Sequence, residues 1–231
     1  CSSKTRAEIE TILEKLPGNN PFIVENGAAI FIPRNFFQFA VSGIKIHDRY
    51  QIIELGTPYK KIIESFQRLQ TMFPQALTGF SDMTAEKVSL DAGLTTDQAM
   101  QAKHREYSEV FKFIDTNAEI KGRVLNKIEE YGFNCTKGGR YYHMHGRHDK
   151  GQAVHILNRL CEKKHGRIMT IGIGDSLNDL PMLAAVDQPV LVKKVDGYHD
   201  MEILQRLPHI HLADGIGPQG WALSAKEIAS G

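Results

Sequence analysis

Arg167-Ile168-Met169-Thr170-Ile171-Gly172-Ile173 is a near-continuous apolar run that passes directly into Gly174-Asp175-Ser176-Leu177-Asn178-Asp179. A strand that is apolar along its length belongs in a parallel sheet covered on both faces. The acidic turn at its carboxyl end then lies where open α/β sheets bind ligands. A helical pattern over 152–163 precedes the run, and another over 178–185 follows it. Val190-Leu191-Val192 reads as a further buried strand and His209–Leu212 as another. Strand, helix and strand in short order predict a doubly wound α/β core.

The earlier two thirds of the chain differ. Apolar spacing predicts helices over 4–16, 57–72, 95–104 and 120–131. Phe22–Val24 and Ala29–Ile32 flank an Asn26-Gly27 turn signal and predict a hairpin. Extended stretches follow at 50–55, 110–114 and 141–144. Helices mixed with a few strands suit an α+β lobe inserted into the main domain. The expected division is a first core segment over 1–55, an inserted α+β cap over 56–145 and a second core segment over 146–231.

Length and charge narrow the function classes. A chain of 231 residues with 42% apolar content can bury one substantial core with a smaller second lobe. Its formal net charge of +1 creates no global field for nucleic acid or an anionic membrane. Three widely spaced cysteines, Cys1, Cys135 and Cys161, fit neither a disulfide framework nor a cysteine zinc site. They imply a reducing, cytoplasmic setting. Thr5 with Glu8 forms a capping box for a helix at the very start of the chain. A helix in that place implies a preceding strand and loop.

Three features carry chemistry. Asp175, Asn178 and Asp179 offer hard oxygen donors suited to magnesium. Ser176 and Asp179 also have capping-box spacing, which leaves Asp175 unexplained. Asp149-Lys150-Gly151 opens the helix over 152–163, with Asp149 as its cap. A lysine there opposes the helix dipole unless an anion such as phosphate sits beside it; the alternative is a solvated surface lysine. Ser2-Ser3-Lys4-Thr5 presents hydroxyl and N–H groups at a helix start, either to a phosphate oxygen or as ordinary caps.

The order of these features resembles the haloacid dehalogenase (HAD) phosphatases with a large cap between their second and third motifs. The segments Ser2–Glu8, Glu25–Ala28, Arg105–Glu109, Gly138–His143 and Gly217–Trp221 look like the mannosyl-3-phosphoglycerate phosphatase family. By that resemblance Ser2 is the motif-two hydroxyl, Lys150 the motif-three lysine, and Asp175 with Asp179 the motif-four acids that hold Mg²⁺. It implies catalytic roles for Ser2, Lys150 and Asp175. Substrate contacts are implied for Ser3, Asn26, Arg105, Glu109, Arg140 and Asn178. Arg forks suit carboxylate or phosphate, and Glu accepts from sugar hydroxyls. The alternative for Arg105 and Glu109 is a surface ion pair.

The implied substrate is a phosphorylated sugar-glycerate, converted to mannosylglycerate and phosphate. Two alternatives stay open: a phosphatase for glucosyl-3-phosphoglycerate or another sugar phosphate, and a non-catalytic sugar-phosphate-binding protein. The family attacks phosphorus with the first Asp of an Asp-x-Asp loop, and no such loop precedes Ser2. The chain by itself is therefore expected to be inactive. His143, His145 and His148 raise a zinc reading, but no Cys or acid completes a tetrahedral set, so structural or surface roles are expected. Trp221 is expected to pack the terminal helix.

Overall fold

The computed structural model describes residues 1–115 and 117–230, in two compact units, Cys1–His148 and Asp149 onward.

The first unit opens with α1 (Arg6–Leu13). Its N-cap Thr5 accepts from the Glu8 N–H, and the Glu8 carboxylate accepts in return from the Thr5 N–H, as the capping box predicts. A four-stranded antiparallel sheet follows, made of β1 (Phe22–Val24), β2 (Ala29–Pro33), β3 (Lys45–His47) and β4 (Tyr50–Glu54) in the order β1-β2-β4-β3. The predicted hairpin is present, with Val24 opposite Ala29. Phe22, Phe31 and Tyr50 pack as an aromatic trio on this sheet.

Next come α2 (Tyr59–Met72), β5 (Leu77–Gly79), α3 (Ala85–Ala92), α4 (Thr96–Lys103), β6 (Ser108–Phe113), α5 (Ala118–Glu130), β7 (Asn134–Gly138) and β8 (Tyr141–His145). The second sheet is antiparallel in the order β5-β6-β8-β7. Ile62, Phe66 and Leu69 of α2 pack with Val124 and Ile128 of α5 against Phe111 and Met144 of the sheet. Phe80, Val88, Ala99, Ala102 and Val110 form a second, smaller core with α3 and α4.

The second unit holds α6 (Lys150–His165), β9 (Ile171–Gly174), α7 (Leu180–Leu183), β10 (Gln188–Lys193), α8 (Met201–Arg206), β11 (His211–Ile216) and α9 (Gly217–Ser230). Its three strands are parallel in the order β11-β10-β9. No helix among the described residues is long and apolar enough to cross a membrane.

Four details depart from the sequence reading. The strand expected over 167–173 is ordered only from Ile171, because its ladder with β10 begins at the Ile171–Gln188 pair. Met169 and Ile171 are 59% and 42% exposed, so this run is not covered on both faces within the unit. The helix expected over 178–185 is a 3₁₀ turn at Leu177–Asp179 followed by the short α7, with Pro181 in its first turn. A proline there lacks the N–H that a continuous helix through 178–185 needs. Trp221, expected to pack the last helix, is 55% exposed. Finally, β3, β5, β7, α3 and α8 have no counterpart in the sequence reading.

Candidate active site

The site in the second unit is built on two helix starts and one strand end. Asp149 caps α6 by accepting the Gln152 N–H at 2.8 Å. Lys150, in the first turn, is 4% exposed, which excludes the solvated-lysine reading. Its ammonium is paired with Asp179 Oδ1. The charge that opposes the α6 dipole is thus answered by a buried carboxylate.

Asp179 does more than neutralise Lys150. Its Oδ2 accepts the N–H groups of Asp175 at 3.1 Å and Ser176 at 3.3 Å, pulling the turn after β9 back on itself. A Cβ on Gly174 would stand 2.5 Å from the Asp179 Cβ, so only glycine permits this fold-back. A Cβ on Gly151 would stand 2.3 Å from the Pro181 carbonyl oxygen, so α6 and α7 meet through glycine as well. Asp179 thus closes the turn and pairs with Lys150 at the same time.

Asp175 and Asn178 are half-buried at the mouth of the turn. The Ser176 hydroxyl lies 2.9 Å from Asp175 Oδ1 and 2.7 Å from Asn178 Oδ1, and its one proton serves one of them at a time. These hard oxygens suit a divalent cation of the magnesium type. Asp179 has both oxygens engaged and fits the role of a brace behind the ligands. Among the described residues no group of three or more His, Cys, Asp or Glu side chains is placed to hold a metal. A divalent cation held by Asp175 and Asn178 would complete its shell with other oxygen donors.

The other sequence-predicted residues lie in the first unit. Ser2 and Ser3 are half-buried. Ser2 Oγ accepts the Lys4 N–H at 3.2 Å, which leaves its own proton free for an acceptor. Asn26 is 3% exposed and sits at φ 61°, between Glu25 at φ 44° and Gly27 at φ 96°. Arg140 is exposed, with its guanidinium 5.8 Å from the Tyr141 ring centre.

Arg105 and Glu109 are not a surface pair. The Arg105 side chain is 5% exposed and donates from Nη1 to the Ser3 carbonyl at 2.9 Å. Glu109 is fully buried. Tyr59 OH donates to it at 2.6 Å, and Ser81 donates from N at 3.0 Å and from Oγ at 2.9 Å. Burial pushes the Glu109 carboxyl up, against those donors and Arg105. Both oxygens thus serve the fold of the second sheet.

The sequence reading passed over Glu25. It is fully buried and accepts from Glu106 N at 2.8 Å, Tyr107 N at 3.2 Å and Ser108 Oγ at 2.5 Å. The available signal was a lone acid in the turn between the apolar stretches Phe22–Val24 and Ala28–Ile32. His143, His145 and His148 are buried in the same unit. His145 Nδ1 lies 2.8 Å from the Gly146 carbonyl and its Nε2 lies 3.2 Å from Thr136 Oγ1. His148 Nε2 lies 3.2 Å from the Glu25 carbonyl.

The family model described as haloacid dehalogenase-like hydrolase matches residues 1–196. A glucosyl-3-phosphoglycerate/mannosyl-3-phosphoglycerate phosphatase of Methanococcoides burtonii is 44% identical over 221 residues, 96% of this chain and 80% of the relative. A mannosyl-3-phosphoglycerate phosphatase of Pyrococcus horikoshii is 38% identical over 192 residues, 83% of this chain and 75% of the relative. Among solved structures, the HAD subclass IIB sugar phosphatase BT4131 superposes with a TM-score of 0.61 at 12% identity, covering 98% of this chain and 83% of that one. With its lysine bridged to the acidic turn after β9, the chain belongs to the haloacid dehalogenase-like hydrolases.

Proposed function

We propose that the protein is a phosphatase that releases phosphate from mannosyl-3-phosphoglycerate and also accepts the glucosyl compound. The observation that carries the phosphatase reading is the buried Lys150, aimed by an Asp179 that also braces the Asp175 turn. A cation held dry and oriented in this way is suited to a phosphoryl oxygen. The substrate follows from kinship. Relatives named for both sugars are 44% and 39% identical, and those named for mannose alone are 38% and 37% identical. Acceptance of both sugars is therefore the better reading.

In this assignment Lys150 offsets charge on the phosphoryl group, and Ser2 supplies the phosphate-binding hydroxyl that the resemblance gives it. Asp175 holds Mg²⁺ with Asp179 behind it, and the ion when bound offsets phosphate charge. Asn26, Arg140, Asn178 and the Ser3 backbone are assigned to the substrate. Arg105 and Glu109 act from behind these contacts. The reaction is read as cytoplasmic, in keeping with three cysteines too widely spaced for a disulfide framework.

The test is phosphate release by the protein expressed from its whole reading frame. Both glyceryl phosphoesters are expected to exceed glucose 6-phosphate in kcat/KM by roughly 100-fold or more. Equal turnover of simple hexose phosphates rejects the substrate assignment. Tight binding without any turnover identifies the non-catalytic alternative.

A further inference from the structure

We propose that Glu25 and Arg105 form a positioning clamp whose task is to fix the segment Ser2–Lys4, and with it the Ser2 hydroxyl. The role of that hydroxyl rests on the phosphatase reading above; the clamp itself does not.

Three consecutive carbonyls of this segment are held. The Ser2 carbonyl accepts the Asn26 N–H at 3.0 Å, the Ser3 carbonyl accepts Arg105 Nη1 at 2.9 Å, and the Lys4 carbonyl accepts the Glu25 N–H at 2.9 Å. The Ser2 N–H in turn donates to the Ile23 carbonyl at 3.0 Å. A segment with these three carbonyls taken has its backbone fixed, which sets the point from which the Ser2 side chain projects.

Both donors on the far side depend on Glu25. Glu25 and Asn26 present their N–H groups from left-handed backbone, at φ 44° and 61°. That conformation is unfavourable for residues with a Cβ and persists where surroundings over-determine it. Here the over-determination is visible: three donors hold the Glu25 carboxylate, and Arg105 Nη1 stands 3.8 Å from Oε2. Arg105 therefore serves both halves through Nη1, which donates to the Ser3 carbonyl and stands beside the Glu25 carboxylate. Its buried Nε–H has no hydrogen-bond partner among the described residues. A turn held for stability alone would be served by an apolar pair, which avoids desolvating two charges. The donor geometry of Arg105 and the carboxylate of Glu25 are needed where a backbone carbonyl must be set to a defined place.

Hydrogen exchange followed residue by residue on Arg105→Lys and Glu25→Gln tests the clamp without any turnover. Lys keeps the charge and loses the fork, and Gln keeps the shape and loses the charge. The Glu25 and Asn26 amides are expected to exchange about tenfold faster or more, with Phe31 and Val110 within about twofold of wild type. Wild-type rates at Glu25 and Asn26 would overturn the clamp. So would uniform acceleration that includes Phe31 and Val110, since that marks an ordinary contribution to stability.

Kinetics then test the link to Ser2. Arg105→Lys is expected to lower kcat about tenfold with KM within about twofold, and to have no further effect on kcat in a Ser2→Ala background. Effects that multiply in the double variant overturn the link. Absence of turnover in the wild-type protein refutes the phosphatase reading and leaves the exchange result to decide the clamp.

Discussion

At the scale of single residues, Lys150 is the side chain with most at stake. It is buried in the first turn of a helix, where a cation is unwelcome, and Asp179 compensates it. Removing one member of such a pair strands the other charge, at about 3–5 kcal/mol. Lys150→Met is therefore expected to lower the unfolding midpoint sharply and to reduce phosphate release by about 10²–10³-fold. Lys150→Met combined with Asp179→Asn is expected to regain stability but not turnover. Calorimetry beside a phosphate assay separates the two effects.

Asp91 makes a quieter prediction. Its bond with Lys112, then that of Tyr141, holds the carboxyl below the usual range against partial burial. A folded value below the unfolded one adds stability above the ordinary carboxylate range, and that stability is lost as pH falls through the folded value. Asp91→Asn is expected to flatten the acid limb of a plot of denaturant midpoint against pH. Burial alone pushes the Cys135 thiol up to about 12. At pH 8 its thiolate is then roughly one part in 10⁴. Iodoacetamide is expected to label exposed Cys1 and spare Cys135 until the chain unfolds, as peptide mapping would show.

At the scale of elements, the meeting of α6 with α7 decides whether Lys150 reaches Asp179. Gly151→Ala drives a methyl into the Pro181 carbonyl, a backbone atom that cannot swing aside. A cost of about 1–3 kcal/mol is expected, with turnover falling further than stability because Lys150 is the adjacent residue. Sequence served well where an element carries its own signals. The Thr5 capping box, the Asp149 cap and the Asn26-Gly27 turn all form as read. It failed where an element borrows its stability. Lys45–His47 of β3 is exposed at every position, and α3 buries only Val88. Such segments have no apolar period to read, because pairing with β4 and packing against α4 hold them. The strand before Gly174 erred in the opposite sense. Its apolar residues Ile168 and Met169 come before the ladder with β10 begins.

At the scale of the whole molecule, the near-neutral chain has no general field to attract its substrate, so binding falls to local charges. A ligand that binds only the folded state stabilises it by about 2.7 kcal/mol at 100 times its Kd. Added Mg²⁺ is expected to raise the melting temperature and EDTA to reverse the rise, with no response in Asp175→Asn. Fold class, the acidic turn, Lys150 and the family likeness were all present in the sequence, because short-range spacing and turn chemistry encode them. Tertiary structure alone decided that Lys150 is buried against Asp179, that Glu109 turns inward, and that Glu25 and Arg105 grip the Ser2 segment. The Arg105–Ser3 contact spans 102 positions along the chain. Burial and pairing at such separations arise only when distant segments exclude water together, and a linear pattern holds no record of which segments those will be.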